Sequence, residues 1–273
     1  MDWWLAHGYA VVAPDYQGLG TPGGHPYMNA DSHLHAVVDS VRAIHQLRPE
    51  AIGSDWIVMG HSQGGAAALA VAAGADAAQL NLRGAIAIAP GGYQYDGIAE
   101  YALQHDEVSP GVAAFLPIVL LGAEAAKPAL QVEQLVSQEM QPLMDLARSR
   151  CLSGLRTEIT EGVSQVFKED ADLKPLLTYL GRQSIEHMAP TVPVLFIQGS
   201  EDQLVNPGGP HAYYQQLCKA GKTVFYHPIP GGSHRDALRQ SPPVSKAFLA
   251  YLNGQETLQS CASANSAAEK SSG

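Results

Sequence analysis

The sequence predicts an α/β fold, a mostly parallel sheet with a helical insertion, on three observations. Short apolar runs of strand length alternate with helical patterns, which is how a parallel sheet is written in sequence. Between the third and fourth of those runs, Gly91 to Pro190 shows helical patterns and no convincing strand. Of the 273 residues, 46% are hydrophobic and only 15% charged, enough to bury a sizeable core.

Taken in order, Tyr9 to Pro14 (YAVVAP), bounded by Gly8 and Pro14, reads as a buried parallel strand. Asp31 to Leu47 carries Leu34, Val37, Val38, Val41 and Ile44 at amphipathic-helix spacing, with Asp31 or Ser32 as N-cap and Pro49 beyond its end. Trp56 to Met59 is a second buried strand, and the small-residue run Ala66 to Ala73 is a helix able to pack closely on a sheet. Gly84 to Ala89, Pro193 to Gln198 and Thr223 to Ile229 are the third to fifth strands, with helices expected at Gly209 to Cys218 and Ser245 to Leu252. Within the insertion, Lys127 to Met140 and Leu143 to Arg150 read as helices, broken by Pro142, Gly154 and Pro175. So long a segment is not a bare loop, and a cap over the sheet is expected. The expected organisation is therefore core over 1–90, helical cap over 91–190, core again over 191–252, and a flexible polar tail over 253–273.

Composition narrows the partners. Sixteen Lys and Arg against 26 Asp and Glu leave a net charge of −10 with no basic run, against nucleic acid or an anionic membrane surface as the main partner. The most apolar stretch, Val112 to Leu121, contains Pro117 and is shorter than the about 20 residues that span a bilayer. Met1 to Ala6 has neither the cationic nor the apolar region of a secretory signal. A domain rarely begins within nine residues of a buried strand, so an upstream start is expected. Cys151, Cys218 and Cys261 fit neither a zinc spacing nor a CxxC motif, and their odd number leaves one thiol buried or paired upstream.

Gly60-His61-Ser62-Gln63-Gly64 carries the chemistry. This GxSxG has a strand before it and a small-residue helix after it, the setting that separates a nucleophile elbow from a chance pentapeptide. Gly60, Gly64 and Gly65 remove the bulk that a sharp strand-to-helix turn cannot hold. Ser62 is then exposed at the strand's end, with the Gln63 N–H and the helix N-terminus facing a developing oxyanion. A serine hydroxyl needs a base, and the base needs a carboxylate to orient it. Asp202, after PVLFIQ, and His234, after the last strand and a Gly-rich turn, stand in the expected order, with Glu201 as the alternative acid. His61 is read as lining the acyl pocket. His25, His33 and His35 with Asp31 are read as solvated helix-start residues rather than metal ligands, since His33 and His35 diverge on a helix. The run Val108 to Leu121 is either a lid, with a lipid-facing surface, or packed cap core.

These residues resemble the α/β-hydrolase superfamily, and more narrowly the secretory lipases of the lipase A type. Gly8 to Gly23 (GYAVVAPDYQGLGTPG) with His25-Pro26-Tyr27, Gly60 to Gly65 (GHSQGG) and Gln198 to Asp202 (QGSED) carry the resemblance, which covers nearly the whole chain. It implies an α/β-hydrolase fold with a helical lid over 91–190 and hydrolysis of carboxylic esters, often acylglycerols, through an acyl-serine. A secreted or periplasmic protein is implied, needing no metal or organic cofactor, with a small-molecule or lipid ester as substrate, transient contact with a lipid interface and no nucleic acid. The family also carries strands upstream of Tyr9 and a loop supplying a second oxyanion donor, which are not in this sequence, so an N-terminally truncated core is expected. A disulfide near the C-terminus, Cys218 with Cys261, is implied as well, leaving Cys151 over. A serine peptidase or acyltransferase would use the same three side chains, and a non-catalytic binding protein could share the fold.

Overall fold

The computed structural model describes residues 2–74 and 80–261, in two compact units. The first is built from Met1–Pro14, His33–Tyr93 and Ile185–Gly273, the second from Asp15–Ser32 and Gln94–Ser184. The part of the expected tail from residue 262 onward lies outside the described residues.

The first unit holds a four-stranded parallel sheet of β1 (Trp56–His61), β2 (Leu82–Ile88), β3 (Val194–Gly199) and β4 (Val224–Ile229), in that spatial order. Met59 pairs with Ile86, Ile86 with Leu195 and Leu195 with Phe225, so one layer of apolar side chains crosses the sheet. All six residues of β3 are buried, as a strand covered on both faces must be. After α1 (Asp2–Ala6) and α2 (Ala30–Leu47), the helix α3 (Gln63–Ala73) runs buried from Gly65 to Ala72, because alanines and glycines let its axis come close to the sheet. The core gathers Ile86, Ile88, Leu195, Ile197, Phe225 and Ile229 around Phe248 of the C-terminal helix Ser241–Leu252. Cys218, at the end of the helix Gly208–Lys219, forms a disulfide with Cys261, their Cα atoms 5.7 Å apart. Cys151 is free and exposed.

Four of the five expected strands form, and the first does not. Tyr9 to Pro14 has no strand assignment, and Tyr9, Val11 and Val12 are exposed at 37–40%. Among the described residues no strand pairs with this run. An extended apolar segment becomes a strand only when a neighbour completes its hydrogen-bond ladder.

The second unit is helical, with α-helices at Gly97–Gln104, Pro110–Ala126, Val132–Leu135, Gln141–Ser149, Leu152–Glu158 and Lys174–Arg182. The apolar run at Val108 to Leu121 is packed core: Ala113, Ala114, Leu116, Val119, Leu120 and Ala123 are buried, and the helix continues through Pro117. Its Gly122 lies against Tyr27, whose backbone N and Cβ would stand 2.7 Å from any added Cβ. The single helix expected over Lys127 to Met140 is instead a 3-10 turn, Pro128–Leu130, and the short helix Val132–Leu135. Gln131 between them has φ 44° and ψ 53°, a left-handed conformation that ends one element and starts the next. Among the described residues, no single helix is long and apolar enough to cross a membrane.

Candidate active site

Three chain segments of the first unit end at one edge of its sheet, each just past the C-terminal end of a strand. β1 delivers Ser62, β3 leads to Asp202 and β4 leads to His234. Parallel strands make this convergence automatic, since all their C-terminal ends lie on the same side.

Ser62 bridges β1 and α3 with φ 59° and ψ −115°, a backbone conformation that non-glycine residues rarely adopt. Its N–H donates to the Ile88 carbonyl at 2.9 Å, and its own carbonyl accepts from Gly65 and Ala66 at 2.9 and 3.1 Å, so the turn is held from both sides. The flanking glycines are required by contact: a Cβ on Gly60 would stand 1.9 Å from the Gly64 carbonyl oxygen, and one on Gly65 would stand 2.9 Å from Pro90 Cα. The strain is therefore built into the local sequence and maintained by the β2 edge.

Asp202 and His234 meet directly. His234 Nδ1 and Asp202 Oδ2 are 2.7 Å apart, with the Asp202 side chain fully buried and that of His234 10% exposed. The backbone N–H groups of Leu204 and Val205 donate to Asp202 Oδ1 at 2.8 and 2.9 Å, and the Gln198 amide donates to Oδ2 at 3.0 Å. Burial pushes this carboxyl up, but the His234 hydrogen bond and the Val205 and Leu204 N–H groups outweigh it and hold it below the usual carboxylate value. Glu201, the alternative acid, is exposed. Its backbone N–H instead donates to the Gly232 carbonyl at 3.0 Å, and a second bond, from the Gly231 N–H to Ser200 Oγ at 2.8 Å, also joins the two loops. His234 opens the helix His234–Arg239, which Ser233 and Asp236 fasten with a capping box.

His61 directs Nε2 at the backbone carbonyl of His234, 2.9 Å away, with the two rings tilted at a centroid distance of 4.4 Å. Burial pushes its imidazole down, a shift that the bond to the His234 carbonyl opposes. Gln63 is the first residue of α3, next to Ser62, and its side-chain amide stands 3.0 Å from His33 Nε2. The amide donates, so that imidazole nitrogen accepts. His33 is 1% exposed, which corrects its reading as a solvated helix-start residue. A histidine at an inward position of an amphipathic helix is covered like its apolar neighbours, and here an amide partner makes that burial tolerable. Among the described residues, no three or more His, Cys, Asp or Glu side chains gather as a metal ion would need.

Sequence reasoning passed over two of these contacts, His33 to Gln63 and Gln198 to Asp202. Gln198 had a visible signal: a lone amide closing the otherwise apolar run PVLFIQ must find partners once buried. For His33 there was none, because its partner lies 30 residues away in sequence.

The model of the secretory lipase family matches residues 2–255. Among solved structures, Candida antarctica lipase A superposes with a TM-score of 0.78 at 20% identity, over 95% of this chain and 62% of that one. A Legionella pneumophila protein gives 0.74 at 16% identity, over 94% of this chain and 74% of the other. A rice cell wall degrading esterase from Xanthomonas oryzae gives 0.65 at 16% identity, over 85% and 68%. At these identities the likeness is one of fold, that of the α/β-hydrolases, and this chain spans less than two thirds of the length of lipase A. No curated protein matches the sequence significantly.

Proposed function

The chain belongs to the secretory lipase family, and from that premise we propose that it is a serine carboxylic-ester hydrolase, a lipase or esterase working through an acyl-serine. The observation that carries this reading is the 2.7 Å contact of His234 Nδ1 with a fully buried Asp202, together with Ser62 in a strained strand-to-helix turn at the same edge of the sheet. A binding surface has no evident use for a buried carboxylate committed to one imidazole.

In this reading Ser62 Oγ attacks the ester carbonyl while His234 Nε2 takes its proton, and Asp202 steadies the resulting imidazolium. The negative charge that develops on the carbonyl oxygen meets the Gln63 N–H at the start of α3. As the carbon–oxygen bond to the alcohol breaks, His234 returns the proton to the leaving alkoxide. Water, deprotonated by the same imidazole, then attacks the acyl-serine and releases the acid. His61 stands beside the nucleophile with Nε2 committed to the His234 carbonyl, so its part includes holding the histidine as well as bordering the acyl group. The substrate is a small-molecule or lipid ester, and the family points to a secreted protein.

Fluorophosphonate labelling with peptide mass spectrometry tests the proposal without a guess about substrate. An adduct on Ser62, absent from Ser62→Ala, is expected. A folded chain that takes no adduct would overturn the reading. Faster turnover of an ester than of its matched amide separates the esterase from a peptidase of the same fold.

A further inference from the structure

We propose that Gln198 is a positioning residue for the proton relay, fixing the Asp202 carboxylate through Oδ2 and moderating how strongly that oxygen holds His234. The inference rests on the reading above and adds to it a residue outside the three that react.

Gln198 is the penultimate residue of β3 and is 1% exposed. Its Nε2 donates to Asp202 Oδ2 at 3.0 Å, the same oxygen that receives His234 Nδ1 at 2.7 Å. Two donors therefore compete for one carboxylate oxygen, while Oδ1 is occupied by the Leu204 and Val205 N–H groups. The other end of the amide is informative: Gln198 Oε1 is buried and has no hydrogen-bond partner. Turning the amide over would place Oε1 against the Asp202 carboxylate and against the Gly199 and Val205 carbonyls, to which Nε2 also donates at 3.4 and 3.5 Å, so these acceptors together decide the orientation and the orphaned Oε1 is its consequence. A buried amide kept for packing would be expected to satisfy both ends. This one satisfies the end that faces the carboxylate.

The chemical effect follows from charge density. A donor on Oδ2 spreads the carboxylate charge and pins the oxygen in the plane that His234 needs. Without that donor, Oδ2 takes the His234 Nδ1–H alone, while the carboxylate turns more freely about its Cβ and presents the imidazole to Ser62 less steadily. The other titratable groups near the pair are His61, whose ring centroid stands 4.4 Å from that of His234, and Arg235 and Glu201, the chain neighbours of His234 and Asp202.

Gln198→Met and Gln198→Leu remove the donor and the orphaned acceptor together. The measurements are the fluorophosphonate labelling rate of Ser62, the proton NMR resonance of the His234 Nδ1–H, and Tm. The variants are expected to label about tenfold more slowly, the scale of one hydrogen bond to a charged group. The His234 Nδ1–H resonance should move downfield, as it does when a hydrogen bond shortens, and Tm should be unchanged or raised. Wild-type labelling rates together with an unmoved His234 Nδ1–H resonance would overturn the inference. So would a fall in Tm that parallels the loss of labelling, since the amide would then be a structural member only. The resonance separates this inference from the hydrolase reading: a moved His234 Nδ1–H signal in a chain that never labels sinks the activity and leaves the coupling standing.

Discussion

The Glu201 N–H donates to the Gly232 carbonyl at 3.0 Å, binding the loop that carries Asp202 to the loop that carries His234. The approach is that close because Gly199, at the end of β3, has no side chain: a Cβ there would stand 2.3 Å from the same Gly232 oxygen and 2.6 Å from that of Ser233.

Gly199→Ala is therefore expected to push the two loops apart. Both contacts are with backbone, which cannot swing aside, so the cost should be about 2 kcal/mol or more in stability. Labelling of Ser62 should fall further than stability does, because the His234–Asp202 contact opens with the loops. Denaturant unfolding and labelling of the same preparation check both. A variant that labels at the wild-type rate would show that the loops have room to spare.

Asp202→Asn is expected to lower kcat by about a thousandfold or more, because an amide cannot hold the imidazole in the required tautomer. A pH dependence accompanies it. Asp202 is held below its ordinary value in the folded chain, so the unfolded chain binds the proton first as pH falls. Its contribution to stability is complete above the unfolded value of about 3.9 and is lost as pH drops through the lower folded value. Urea unfolding of wild type and Asp202→Asn between neutral pH and pH 3 should show the gap between them closing toward the acid end. A gap independent of pH would contradict the assignment.

His61 shifts downward, so acid acts on it through the same linkage. Below the unfolded value of about 6.5 the unfolded chain takes up a proton that the folded chain resists, and stability is lost as pH falls through the folded value. His61→Gln, which keeps a donor for the His234 carbonyl and cannot titrate, should gain in Tm relative to wild type between pH 7 and pH 5. His61→Leu removes the donor and should slow labelling by about tenfold even at pH 8. Thermal melts and labelling rates across that range check both variants.

Local pattern was enough for β1 to β4, because each is built mainly of apolar residues over a strand's length between turn residues. It was enough to place Ser62 as well, since the strain of its turn is written into Gly60, Gly64 and Gly65 beside it. The same rule failed at Tyr9 to Pro14. That run has the composition of a strand, but a strand also needs a neighbour, and no six-residue window says whether one is present. It failed differently at Lys127 to Met140, where helical periodicity continues through Gln131 while the backbone there turns left-handed.

The sequence by itself determined the alternation of strands and helices, the chain order of Ser62, Asp202 and His234, and the glycines without which the turn at Ser62 could not close. Those are properties of neighbours in the chain. Tertiary structure alone decided that Asp202 rather than Glu201 faces His234, that Gln198 shares its oxygen, that His33 reaches Gln63, and that Asp15–Ser32 packs in one unit with Gln94–Ser184. Each depends on the direction of a side chain or the course of a loop after folding. Direction is set by contacts between residues far apart in sequence, which periodicity does not encode.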